Sequence, residues 1–348
     1  METIVAITDY QLMQAWTQVL TLSKVKEGQA VTILTGENTH PQTLRTAHMA
    51  LEAMRAVVTQ VHLPPVNAEK SLSRDLVSFL GETALTNNPA AIAALKSSDL
   101  VLDLMTLLFS PEQLEILKGG TKILLAVEPP EVLCRLVPTI DDKVRVKEAT
   151  SRLAAARMMR VTSEAGTDLT CPLGEFPALS EYGFVDEPGR WDHWPSGFTL
   201  TWPNERQTCG TIIIDKGDIL LPQKTYVSEP IALTVEGGYA TDIRGGVDAE
   251  LLRDYMESFD DPEGYAISHI GWGLQPRARW SQMGLYDREA QIGMDARAFE
   301  GNFLFSLGPN NEAGGERTTA CHIDIPLRRC TVSLDGTPVV ENGRVIEN

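Results

Sequence analysis

Apolar and polar positions follow two different rhythms along this chain, and the rhythm changes near its middle. In the first part, stretches with apolar residues three and four apart are interleaved with short apolar runs. DYQLMQAWTQVLTLSKV, HPQTLRTAHMALEAM, NPAAIAALKSS and SPEQLEILKGG read as helices, and AVTILT, AVVTQVHL, DLVLDLM and KILLAV read as strands. In SPEQLEILKGG, Ser110 is placed to cap the helix, Pro111 to open it and the glycine pair to stop it. Strands recurring between helices predict a parallel, doubly wound α/β sheet.

After the helical stretch DDKVRVKEATSRLAAARMM the pattern turns to short β-rich runs separated by DKGD, EGG, DPEG and LDG. GTIIID, YVSEPIALTV, GYATDI, GNFLFSLG and CTVSLDG read as strands. The change places a boundary near Val161: an α/β domain over 1–160 and a β-rich α+β domain over 161–348. A doubly wound sheet invites a nucleotide, but no G-x-G-x-x-G follows any predicted strand and no G-x-x-x-x-G-K-[ST] is present.

Composition narrows the classes. With 348 residues and 43% hydrophobic content the chain can bury a full core, and its length suits two domains. A net charge of −17 without any Lys/Arg cluster argues against nucleic acid. METIVAITDYQLMQAW has no basic segment leading into an apolar one, and no apolar run approaches ~18 residues, so a cytoplasmic protein without membrane contact is expected. The five cysteines contain no C-x-x-C pair, which supports neither a disulfide framework nor a zinc knuckle. Reduced, buried thiols are expected at Cys321 and Cys330.

The six histidines carry the candidate chemistry. His40, His48 and His62 lie at helical or strand-end positions and read as ordinary surface or core residues. His193 lies in GRWDHWPSG, a setting of aromatics, glycine and proline that suits a pocket wall, and His269 lies in YAISHIGWGLQPRARW. In CHIDIPLRRC, His322 stands two residues before Asp324, so in an extended strand both project to one face. Their Cβ atoms would then lie roughly 6.6 Å apart, within reach of one ion. Two histidines and a carboxylate with open positions suit non-haem iron(II), and three such ligands with one water suit hydrolytic zinc. Spacing alone chooses neither the metal nor between His193 and His269.

Longer stretches carry a resemblance. GTDLTCPLGEFPALSEYGFVDEPGRWDHWPSGFTLTWPNE, ISHIGWGLQPRARW, MDARAFEGNFLFS and CHIDIPLRR, with TALTNNPAA and ILLAVEPPEVL, resemble the 2,5-dihydroxypyridine 5,6-dioxygenases over almost the whole chain. The resemblance implies opening of a dihydroxypyridine by dioxygen to N-formylmaleamate, as in nicotinate and nicotine breakdown, with iron(II) as cofactor and a homo-oligomeric assembly. That group is itself similar to aminopeptidase T-type two-metal peptidases. Where those carry metal-binding glutamate and histidine in P-x-G-E-V-F-T and G-T-x-H-I-A-L-G, this chain has Phe198 and Leu304, and His269 stands at the second glutamate position. Bridging carboxylates are needed to hold two cations together, so the comparison leaves one mononuclear triad of His269, His322 and Asp324. A metal-dependent hydrolase using the same triad is the alternative, and a silent metal- or ligand-binding relative is the third reading.

The implied reaction needs a proton acceptor and prearranged donors around the ring. Glu181 in SEYGF is a candidate acceptor for the ring N–H or hydroxyl, against the plain reading of a solvated loop carboxylate. His193 is a candidate to orient the hydroxyl or move its proton. Arg297 is a candidate to hold an anionic ring, against an ion pair with Glu300 or Asp295. Ser306 is a candidate donor to a ring oxygen, against a plain strand-end serine. Where the dioxygenases read LLHSPEQ this chain reads LLFSPEQ, so Phe109 stands at an imidazole position. That departure implies an impaired proton transfer or a diverged substrate.

Overall fold

The computed structural model describes residues 6–66, 82–106 and 110–346, which leaves Phe109 outside the described residues. Its first half alternates as the pattern predicts, through α1 (Asp9–Leu22), β1 (Ala30–Thr35), α2 (Pro41–Ala53), β2 (Val57–His62), α3 (Pro89–Lys96), β3 (Leu100–Asp103), α4 (Pro111–Lys118) and β4 (Lys122–Leu125). The α4 start is the expected one: the Ser110 side chain accepts the Gln113 N–H at 3.1 Å, with Pro111 in the first turn. Two further helices, α5 (Pro130–Arg135) and α6 (Ile140–Ala155), complete this part.

Successive residues of these strands feed two separate cores, because strand side chains alternate between faces. Val31 and Ile33, Leu100 and Leu102, and Leu124 pack with Trp16 and Leu20 of α1 in the main core. Their neighbours Leu34, Val101 and Ile123 pack with Ile116 of α4 in a second one. A sheet covered on both faces by helices is the doubly wound arrangement. β3 and β4 are buried at every position, whereas β2, at the sheet edge, is mostly exposed.

The chain then forms β5 (Met158–Ser163), β6 (Asp168–Pro172), β7 (Leu179–Glu181), β8 (Trp191–His193), β9 (Phe198–Thr201), β10 (Cys209–Ile214), β11 (Ile219–Leu220) and β12 (Thr225–Tyr226). It continues through β13 (Ile231–Glu236), β14 (Tyr239–Gly245), α7 (Val247–Glu257), β15 (Ile267–Gly273) and α8 (Met294–Ala298). The last strands are β16 (Phe303–Leu307), β17 (Ile323–Leu327), β18 (Cys330–Leu334), β19 (Thr337–Glu341) and β20 (Arg344–Val345). The antiparallel sheets run β14-β13-β10-β6-β5-β18-β19-β20 and β17-β16-β15-β9-β7, with β11 and β12 as a separate hairpin.

The parallel sheet runs β2-β1-β3-β4-β8. Its last strand therefore comes from beyond the boundary expected near Val161. Leu124 and Leu125 pair in parallel with Asp192 and His193, so the chain returns to the first sheet after the β-rich pattern has begun. This carries His193 to the carboxyl end of the parallel strands, the edge at which doubly wound sheets hold ligands.

β15 pairs with β9 and β16, and its pairing with β16 slips between Ile267 and Ile270. Ile267 opposes Leu307 and Ile270 opposes Phe305, so three steps on β15 match two on β16: a bulge that contains His269. Gly271 permits the close approach to β9, since a Cβ there would collide with the Thr199 carbonyl. All five cysteines are free thiols, with Cys321 and Cys330 buried as expected. Among the described residues, no helix is long and apolar enough to cross a membrane.

Candidate metal centre and substrate cavity

One cavity of about 940 Å³ lies between the carboxyl end of β4 and β8 and the sheet that carries β7, β9 and β15–β17. His269, His322 and Asp324 line it, and so do Glu181 on β7 and His193 at the end of β8. Sequence spacing could not choose between His269 and His193. In the structure both line the cavity, carried by different sheets and in separate side-chain groups.

His269, His322 and Asp324 converge on a common point. Asp324 lies within β17, His322 immediately before it, and His269 in the β15 bulge. His269 Nε2 and His322 Nε2 lie 3.0 and 3.4 Å from the same Asp324 oxygen, Oδ1. One ligand atom from each residue lies within 4.8 Å of the others. All three residues are buried, yet both nitrogens of His322, Nδ1 of His269 and Asp324 Oδ1 have no hydrogen-bond partner. Buried polar atoms left unpaired are costly and uncommon in folded proteins. Two imidazoles and a carboxylate oriented in this way fit a single divalent cation.

The protonation states agree. Burial pushes the pKa of His322 down to about 4, so its ring is neutral with a free lone pair. Burial opposes the charge on Asp324, but the Arg297 guanidinium and then the two imidazoles overcome it and hold the carboxyl well below its usual range.

Arg297 Nε donates to Asp324 Oδ2 at 2.6 Å, and its Nη1 donates to the Ile292 carbonyl. Neither sequence alternative for its partner holds: Glu300 pairs with Arg145 and Asp295 with Arg135. Arg297 rides on α8, whose entry is held by Glu128 Oε1, 2.7 Å from the Met294 N–H. Burial raises the Glu128 pKa to about 7. Ser306 is also placed differently from its expected role. It is fully buried, its Oγ accepts the His269 N–H at 2.9 Å and donates to the His269 carbonyl at 3.3 Å. It grips the bulge from behind rather than facing the cavity.

Glu181, on β7 of the same sheet, is a buried strand residue rather than a solvated loop carboxylate. Its Oε2 lies 2.7 Å from His193 Nε2, while His193 Nδ1 lies 2.9 Å from the Pro195 carbonyl. Both ring nitrogens therefore face acceptors, which favours an imidazole carrying two protons. Burial alone would lower the His193 pKa, but the Glu181 charge outweighs it and the value is raised. Asp192 completes a second acidic group nearby, but its oxygens are taken by Arg190 at 2.6 Å and by the Tyr182 and His193 N–H groups at 2.9 Å. That group is satisfied by protein partners.

Phe198 and Leu304 line the cavity as apolar walls, together with Leu200 and Trp202. Two acidic residues were missed in the sequence. Glu128 directly follows the apolar strand KILLAV, a position that the ligand rule for parallel sheets could have flagged. Glu312, on the cavity wall, lies in an unpatterned NNEAGG loop that offered no signal.

A family model of 2,5-dihydroxypyridine 5,6-dioxygenase (NicX) matches residues 11–347. A 2,5-dihydroxypyridine 5,6-dioxygenase of Pseudomonas putida is 55% identical over 340 residues, covering 98% of this chain and 97% of that protein. A solved structure of 2,5-dihydroxypyridine dioxygenase from Pseudomonas putida superposes with a TM-score of 0.95 at 54% identity, covering 99% of each chain. AmpT from Thermus thermophilus superposes with a TM-score of 0.65 at 14% identity, over 97% of this chain and 99% of that one. The last likeness is one of fold alone and identifies the architecture as aminopeptidase T-like.

Proposed function

The chain belongs to the 2,5-dihydroxypyridine 5,6-dioxygenase family, and on that premise we propose that His269, His322 and Asp324 hold one iron(II) ion while Glu181 and His193 handle the substrate's protons. The enzyme is a ring-opening dioxygenase that acts on 2,5-dihydroxypyridine and dioxygen. Both oxygen atoms enter the product between ring carbons 5 and 6, and the ring supplies the electrons, so no external reductant is needed. The observation that carries the reading is the set of buried, partnerless donors on one wall: two imidazoles and one carboxylate, converging within 4.8 Å.

Iron(II) bound there would supply a path for electrons between ring and dioxygen, through positions that a two-histidine, one-carboxylate ligand set leaves open. The residues around it perform the remaining tasks. His322 stays neutral and Asp324 stays charged, the states in which each can act as a ligand. Arg297 fixes the second oxygen of Asp324, leaving Oδ1 turned toward the histidines. Phe198, Leu200, Trp202 and Leu304 offer apolar surface for a flat ring and exclude water from around it.

The Glu181–His193 pair manages the protons. With its proton resting on the imidazole, the pair leaves Glu181 a carboxylate acceptor backed by the His193 N–H. It can take the proton of the ring hydroxyl and return one to a developing oxyanion without a side chain leaving the wall. The hydrolase alternative is not favoured. Phe198 and Leu304 offer no ligand for the second cation that two-metal peptide hydrolysis requires.

The test is anaerobic preparation of metal-free protein followed by addition of iron(II) or zinc. Iron(II) should bind at one equivalent per chain, and oxygen uptake should begin with 2,5-dihydroxypyridine. Two equivalents per chain, or equal turnover with zinc, would overturn the assignment.

A further inference from the structure

Glu312 lies in the turn Asn311–Ala313, on the connection from β16 to β17, and lines the cavity with the triad and with Glu181. The other acids on the cavity wall have cationic partners: Asp324 has Arg297, and Glu181 has His193. Glu312 has neither a hydrogen bond nor an ion pair among the described residues, and the charges it faces are those of Asp324 and Glu181. A carboxyl in that position gains nothing from the protein. The residue is half-buried at the cavity wall, so its carboxyl is open to what enters the cavity.

The substrate has an edge of matching chemistry. In its lactam form, 2,5-dihydroxypyridine carries an N–H donor next to a C2 carbonyl acceptor, on a different side of the ring from the C5 hydroxyl. A carboxyl group can meet such an edge with two parallel hydrogen bonds. Resting on the function proposed above, we infer that Glu312 recognises the N–H and C2-oxygen edge of the ring and so selects a pyridine over a carbocycle. A neutral carboxyl offers one donor and one acceptor, the complement of a lactam.

Binding is measured anaerobically by calorimetry on the iron(II)-loaded enzyme, with 2,5-dihydroxypyridine and with hydroquinone. Hydroquinone keeps both para hydroxyls but lacks the ring N–H. The unaltered enzyme should prefer the pyridine by at least about tenfold, since a site built to hydrogen-bond rejects an analogue that lacks the group. Glu312→Ala should remove most of that preference by weakening pyridine binding more than hydroquinone binding, with iron content and Tm unchanged. Glu312→Gln should keep most of it, because an amide also presents one donor and one acceptor.

Equal weakening of both ligands, an unchanged preference in Glu312→Ala, or a Gln variant no better than Ala would each overturn the inference. Failure of the underlying function would look different: the unaltered iron(II) enzyme would consume no oxygen with 2,5-dihydroxypyridine at all.

Discussion

Replacing Ser306 by alanine separates two accounts of the same residue. In the sequence, Ser306 is a candidate donor to a ring oxygen, against a plain strand-end serine. In the structure its hydroxyl is bound on both sides by His269, accepting from the N–H at 2.9 Å and donating to the carbonyl at 3.3 Å. His269 lies in a bulge where the regular ladder with β16 is interrupted, so this hydroxyl replaces the missing ladder acceptor. Ser306→Ala leaves a buried N–H without an acceptor, a loss of about 1–3 kcal/mol. At about 2–4 °C per kcal/mol for a domain of 150–250 residues, Tm should fall by roughly 2–12 °C. Ser306 also stands opposite Asp324 across the β16–β17 pairing, so slackening there disturbs two side chains of the proposed metal site at once. Loss of such a supporting partner typically weakens metal binding by about 10- to 100-fold. The assay is a competition titration with iron(II) against a chromophoric chelator, alongside a thermal melt. Unchanged metal affinity and Tm with a raised KM for the dihydroxypyridine would refute this account and restore the substrate-donor role.

Removing the Arg297 guanidinium by Arg297→Met should raise the pKa of Asp324, which Arg297 holds down. A depressed carboxylate gives up its contribution as pH falls through its folded pKa, so the variant should release its metal at a higher pH during acid titration than the unaltered enzyme. An unchanged release midpoint would remove Arg297 from the control of that ligand. Glu181→Gln should act in the opposite sense on His193, whose pKa the Glu181 charge raises. The ionisation of His193, followed by NMR of the ring or in the kcat/KM profile, should move to lower pH, and a fixed position would show that Glu181 does not set it.

The helix–strand alternation of the first half, the capped start of α4 at Ser110 and the shared face of His322 and Asp324 were all legible in the sequence. They depend on periods of two to four residues, which local backbone geometry imposes wherever the chain lies. The resemblance to the dioxygenases added His269 to that pair and ruled out a second cation through Phe198 and Leu304. What stayed hidden depends on contacts between distant segments. β8 is three residues long, too short for any period, and only pairing with β4 makes it the fifth parallel strand and carries His193 to the cavity. His269 is aimed by a bulge whose register is set by β16, more than thirty residues later in the chain. Arg297 has acidic neighbours in sequence but finds Asp324, because Glu128 and Arg135 anchor α8 beside β17. Glu312 belongs to no periodic segment, and only the fold brings it to face Asp324 and Glu181. The sequence by itself determined the longer periodic elements and the candidate metal ligands; the tertiary structure decided where they point, because direction is set by strand register and by ion pairs that close only after the chain has folded back on itself.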